Sequence, residues 1–250
     1  MTLQIPKRLA TFQQMQRSDA LTQLLNHFTA KPLAPSYAEY LRLNKALNSG
    51  DAAMDAVVHW VMQNPKHNRP LFETALFQGL AQLPESIPEL TDFFQHAAHK
   101  PDWLDEEKMD RALQFTHQLG INNGFVLRDL SLMAGYLFPG FNQPLMMTGA
   151  LNKQAGTRLA ETTKWWIDIT EPDGLKRYGA GFTSTIYVRF IHALVRVHLK
   201  KNPKWDADTW GLPINQFDLA MTNLAFSSVV LIGIRALGIF PSQQDTENFL

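Results

Sequence analysis

Thr183–Lys200, TSTIYVRFIHALVRVHLK, is the stretch whose reading decides the fold. It has no proline or glycine, and its apolar residues recur at helical spacing. On a helix at 100° per residue, Arg189, His192 and Arg196 lie within about 60° of one another. Thr185 joins that stripe one turn earlier. Ile186, Phe190, Ile191, Leu194 and Val195 cover much of the remaining surface, so the spacing predicts a helix that is apolar on more than one side and buried. Two arginines and a histidine on one stripe of a buried helix need partners. Taken by itself, the stripe is most simply an interhelical ion-pair network with a hydrogen-bonded histidine. A haem would meet the same need. Neutral imidazole binds iron through Nε2. Two propionates would accept charge-assisted hydrogen bonds from the arginines, and the apolar neighbours would pack on the porphyrin.

Outward from this helix the chain reads as all-α. Its 250 residues are 45% apolar and 11% aromatic, enough for a substantial core. Lys+Arg and Asp+Glu are 23 each, so the strongly basic face of a nucleic-acid binder is not expected. Residues 1–50 are locally basic, which reads as a solvated face. The absence of cysteine excludes disulfides, iron–sulfur clusters, thiolate zinc and cysteine-ligated haem. Met1–Ala10 has no long apolar run, so no secretory leader and a cytoplasmic location are expected. Ala225–Phe240 is the most hydrophobic stretch. It carries Ser227, Ser228 and Arg235 and falls short of the roughly 20 apolar residues that span a bilayer. It reads as a buried helix, and no transmembrane segment is expected.

Helices are predicted at 9–29, 36–48, 51–63, 70–82, 88–98, 105–119, 122–137, 144–170, 183–200 and 215–238. Asp105 before Glu106 and Glu107 is an N-cap followed by acids in the first turn. Pro84, Pro88, Pro139, Pro144, Pro172, Pro203 and Pro213 fall between helices, and the glycines of Asp173–Gly181 make that stretch a loop. No repeat or linker divides the chain. It reads as one domain over 1–250, with 1–85 a candidate N-terminal helical cap.

A second polar stripe lies in Gly156–Trp166, GTRLAETTKWW. Arg158, Glu161, Thr162 and Trp165 follow i, i+3, i+4, i+7 and share one face. They line either a polar pocket or an ordinary exposed face. His96 and His99 share a helix face without a carboxylate partner at metal-ligand spacing. His198 points away from His192. No nucleophile elbow, phosphate loop or HExxH zinc motif is present.

At these residues the chain resembles the haem oxygenases that include the latex-clearing protein (rubber oxygenase) and the mycophenolate-pathway oxygenase MpaB. The family's Arg-x-x-His-x-x-x-Arg pattern reads here as Arg189, His192 and Arg196. Its arginine followed four residues later by threonine reads as Arg158 and Thr162. Pro101–Trp103, Ser131–Gly149 (SLMAGYLFPGFNQPLMMTG) and Gly211–Gly238, starting GLPINQFDLAMTNL, agree as well. The resemblance runs from about residue 100 to the end, so 100–250 is the expected haem-oxygenase-like core.

The resemblance implies a globin-like helical core with additional helices around haem b. His192 would be the proximal iron ligand, with Arg189 and Arg196 at the propionates. Arg158 and Thr162 would lie on the distal, oxygen-binding side. Relatives cleave carbon–carbon double bonds of isoprenoid chains with dioxygen, so the partners implied are a hydrophobic alkene and dioxygen. Two departures stand out. The family's lysine before the distal threonine is Glu161 here, a candidate base. The stretch 141–151, where an acidic base is expected, has no carboxylate. Asp245–Leu250 looks like the first turn of a further helix where relatives continue, which sets the expectation of a C-terminally truncated chain. The alternative to an oxygenase is a non-catalytic helical haem-binding or interaction module on the same fold. A weaker third reading is a haem-independent enzyme built on Arg158 and Glu161. No motif speaks to oligomeric state.

Overall fold

The computed structural model describes residues 5–15, 36–149 and 155–250, and every regular element among them is helical. In chain order the main helices are α1 Tyr37–Leu47, α2 Ala52–Gln63, α3 Pro65–Phe77, α4 Pro88–Ala98, α5 Glu106–Leu119, α6 Ile121–Phe125, α7 Pro139–Met147, α8 Ala155–Thr170, α9 Ala180–Lys200, α10 Gln216–Phe226, α11 Ser228–Ala236 and α12 Gln243–Phe249. A π-helical stretch, Val126–Leu132, continues α6. Local chemistry sets the starts. Ser36 and Glu39 form a capping box before α1. The side chain of Asp51 accepts from the Met54 N–H and caps α2. Asp105 caps α5 as expected. Pro65, Pro88 and Pro139 open their helices, where a missing N–H costs nothing.

Several predicted boundaries shift for local reasons. The 70–82 helix is Pro65–Phe77, because Pro65 starts it earlier and Gly79, at φ 103°, ends it. Pro144 sits inside α7 rather than between helices, since Pro139 has already begun that helix. The 144–170 helix is therefore two helices, and residues 150–154 lie outside the described residues. Most of the 9–29 prediction also lies outside them, and Phe12–Met15 forms a single turn. The 215–238 helix breaks at Ser227, whose φ of −121° and ψ of −91° are not helical.

α2, α3, α4 and α9 share one core, built on Val57, Phe72, Leu90, Phe94, Ile186 and Phe190. Phe72 and Phe190 stack at 4.4 Å, tying α9 to α3. A second core joins α5, the π-helical stretch and α11 through Phe115, Leu119, Val126, Val230 and Ile234. Phe249 of α12 meets Phe115 edge to face. α10 runs past both α1 and the π-helical stretch. The N-terminal segment is pinned to it by a bidentate Arg8–Asp218 pair at 3.0 and 2.8 Å.

The expectation that 225–240 is a buried helix needs correction. Gln216–Ala236 is long and apolar enough to cross a bilayer by length and composition, yet only 28% of that window is buried. Val230, Leu231 and Ile234 face the second core, while Leu224, Ile232 and Leu237 are exposed. The break at Ser227 turns the two halves so that neither is enclosed on all sides.

α8 and α9 form a hairpin closed by the 171–179 turn. Arg177 in that turn donates to the carbonyls of Ala75 (2.8 Å) and Leu76 (3.0 Å), satisfying the last turn of α3. α9 starts at Ala180, so Gly181 is helical rather than in the predicted loop. A Cβ at Gly181 would stand 2.6 Å from the Asp168 carbonyl oxygen and 2.7 Å from the Ile169 Cα. Backbone cannot rotate aside, so Gly181→Ala is expected to open the hairpin at a cost of ~1–3 kcal/mol. A thermal melt checks it, with Gly156→Ala as the contrast. There a Cβ meets nothing within 4 Å, and the melt should hold or rise. Equal melting temperatures for the two variants would contradict the close-approach argument.

Candidate functional site

The stripe of α9 finds its charge partners on α2. Arg189 donates to Asp51 through Nε to Oδ2 (2.7 Å) and Nη2 to Oδ1 (3.0 Å). It also lies over the ring of Phe93, 5.0 Å from its centroid. Arg196 donates through Nε to Asp55, at 2.9 and 3.2 Å, and through Nη1 to the Ile214 carbonyl at 2.6 Å. Its Nη2 stands 2.8 Å from Asp55 Oδ1, an ion-pair contact too bent for a hydrogen bond. The side chain of Arg196 is only 2% exposed, whereas that of Arg189 keeps 33%. Both arginines expected at an anionic ligand are thus engaged by carboxylates of the protein itself.

Burial pushes the Asp51 carboxyl upward. The Arg189 hydrogen bonds and charge outweigh it, helped by the Met54 N–H and the charge of Arg196, and hold its pKa below the ordinary carboxylate value. A carboxylate depressed in the folded state stabilises above the unfolded pKa, about 3.9. That stabilisation is lost as pH falls through the lower folded value. The stability difference between the wild type and Asp51→Asn is therefore expected to be level above about pH 5 and to shrink below about pH 4. Urea unfolding at stepped pH measures it, and a difference that widens on acidification would contradict the assignment.

The second stripe meets the first across the hairpin. Trp165 Nε1 donates to Thr185 Oγ1 at 2.9 Å. With the Gly181–Asp168 approach, this sets an antiparallel register. Counting along both helices, Thr162 comes level with Val188, and the backbone of Arg158 with His192. Trp165 and Trp166 are backed by Phe226 of α10, with centroids 5.2 and 5.7 Å away. Glu161 and Thr162 are exposed on the side of α8 that carries Trp165. Arg158 is in α8, but its side chain lies outside the described residues. His192 is half-buried. Beside it on α9, Val188 is 38% exposed and Ile191 39%, and on α8 Leu159 is 40% exposed.

Among the described residues no three His, Cys, Asp or Glu side chains come together to hold a bare ion. A macrocycle that brings four nitrogens needs a single imidazole from the protein. His192 is the histidine of the α9 stripe and is half-buried. Two concavities lie elsewhere. One, of about 450 Å³, is lined by Ala53, Ala56, Pro88, Glu89, Asp92 and Phe93. The other, of about 260 Å³, includes Phe77, Lys164, Asp168 and Tyr187. Neither is lined by His192.

Reasoning from sequence missed Asp51, Asp55, Phe226 and the Trp165–Thr185 bond. One signal for Asp55 was present: it is the only charged residue of α2, AAMDAVVHWVMQ, an otherwise apolar helix.

Residues 117–250 match the family described as "ER-bound oxygenase mpaB/B'/Rubber oxygenase, catalytic domain". The chain belongs to this family. Across 67% of its length it is 28% identical to the rubber oxygenase of Streptomyces sp. (strain K30), over 42% of that protein. The structure of latex clearing protein in the closed state superposes with a TM-score of 0.68, at 22% identity. It covers 82% of this chain and 56% of that one. The all-α fold is therefore shared with latex clearing protein, and the chain spans about half the length of the relatives it matches. Asp51 and Asp55 lie before the matched region, while His192, Thr162 and Glu161 lie within it.

Proposed function

We propose that this chain is the haem-binding core of an oxygenase that acts on a hydrophobic alkene, with His192 as the proximal iron ligand. The observation that supports this reading is the Trp165–Thr185 bond, which ties the helix that carries Glu161 and Thr162 to the helix that carries His192. Val188 and Ile191, exposed apolar residues beside His192 on α9, would give surface on which a porphyrin could rest. Arg189, with a third of its side-chain surface free, is assigned to a propionate. Arg196 is committed to Asp55 and the Ile214 carbonyl. Haem b, when bound, supplies the dioxygen chemistry. The protein's part would be ligation by His192, a hydroxyl from Thr162 and a carboxylate from Glu161, with Arg158 assigned to the same site from the family pattern. The overall reaction converts an alkene and dioxygen into two carbonyl compounds, as the rubber-oxygenase resemblance suggests.

Haem b added to the purified chain should give a Soret band that saturates at one haem per chain. Oxygen consumption with a short isoprenoid alkene then tests catalysis. No haem-dependent band at any ratio would overturn the proposal. A second reading, haem binding without catalysis, is favoured by Glu161 in place of the lysine of latex-clearing protein and by the carboxylate-free stretch 141–151. It predicts the same band with no oxygen uptake.

A further inference from the structure

We propose that Asp51 and Asp55 are positioning residues for His192, contributed from outside the family-matched region. They hold the two flanking guanidiniums, fix the roll of α9 on α2 and neutralise positive charge beside the iron site. This rests on haem ligation by His192. Arg189 precedes His192 by three residues and Arg196 follows it by four, so each lies one turn away on the same side. Asp51 grips Arg189 with both oxygens. Asp55, one turn further along α2, grips Arg196. Each rung spans helices far apart in sequence, 138 and 141 residues. The imidazole therefore stands between two clamped points. Removing either carboxylate would add one net positive charge near the iron, and positive charge favours the reduced metal.

The test measures the midpoint potential of the haem-loaded full chain. Asp51→Asn keeps an oxygen for the helix cap, because asparagine caps as well as aspartate, and removes the charge together with the oxygen that accepts from Arg189 Nε. It is expected to raise the ratio of reduced to oxidised iron about tenfold at fixed potential, a shift of about 59 mV for one electron. Asp51→Glu retains the charge and should stay near the wild type. Asp51→Asn/Arg189→Gln restores neutrality and should return toward it. If Asp51→Asn does not fold, Arg189→Gln alone carries the test, with a shift of similar size in the opposite direction. A purely structural clamp would leave the potential of the folded, haem-loaded variants unmoved, and that result overturns the proposal while leaving haem ligation intact. A wild type that binds no haem overturns both.

Discussion

In His192→Ala, haem-dependent absorbance is expected to disappear while the helical far-ultraviolet signal persists. Alanine is a strong helix former. The buried face that seats α9, formed by Ile186, Phe190, Ala193 and Leu199, is untouched. Haem affinity should fall by more than about 100-fold, beyond the roughly 10–100-fold that follows from losing a residue that merely supports a ligand. Free imidazole should restore much of the band by filling the vacated place. His198→Ala supplies the control. His198 is exposed and two turns along on another side of the helix, so its loss should leave the spectrum unchanged. A full Soret band in His192→Ala, or its loss in His198→Ala, would remove His192 from the iron.

The second large effect concerns stability. Asp55→Ala leaves the Arg196 guanidinium, 2% exposed, without the carboxylate it is bonded to, and only the charge of Asp51 remains near it. Breaking such a pair from one side costs ~3–5 kcal/mol. Asp55 is itself a third exposed, so water reaches part of the site and the lower end of that range is expected. For a chain of this size that corresponds to roughly 6–12 °C in melting temperature. Replacing both partners, as Asp55→Leu/Arg196→Met, removes the charge and its partner together and should cost less than Asp55→Ala alone. The Ile214 carbonyl then loses its donor, so some loss remains. A double variant less stable than Asp55→Ala would show that Arg196 acts through its packing or its bond to Ile214 rather than through the ion pair.

Much of the site was legible because it is written at helical spacing. Arg189, His192 and Arg196 share a stripe whatever they pack against, and so do Glu161, Thr162 and Trp165. The ends of helices were less legible. Proline reads as a breaker in sequence, yet at Pro65 and Pro139 it opens a helix. Once Pro139 has done so, Pro144 is accommodated inside. The break at Ser227 has no comparable signal, because an apolar run looks continuous until packing bends it. The arginines show the limit most directly. Their sequence demands partners, and either haem propionates or carboxylates meet that demand.

The sequence by itself determined that the chain is all-α, that His192 rides on a helix between two arginines, and that these residues carry the family pattern. Those are local properties, set by residue type and the 3.6-residue period. Only the tertiary structure decided that the arginines belong to Asp51 and Asp55, and that Trp165 reaches Thr185 to align the two stripes. It also decided that α10 and α11 stay largely uncovered. An ion pair closed across 138 residues depends on how α2 and α9 pack. That packing is set by cooperative burial of Val57, Phe72, Ile186 and Phe190, which no local pattern encodes.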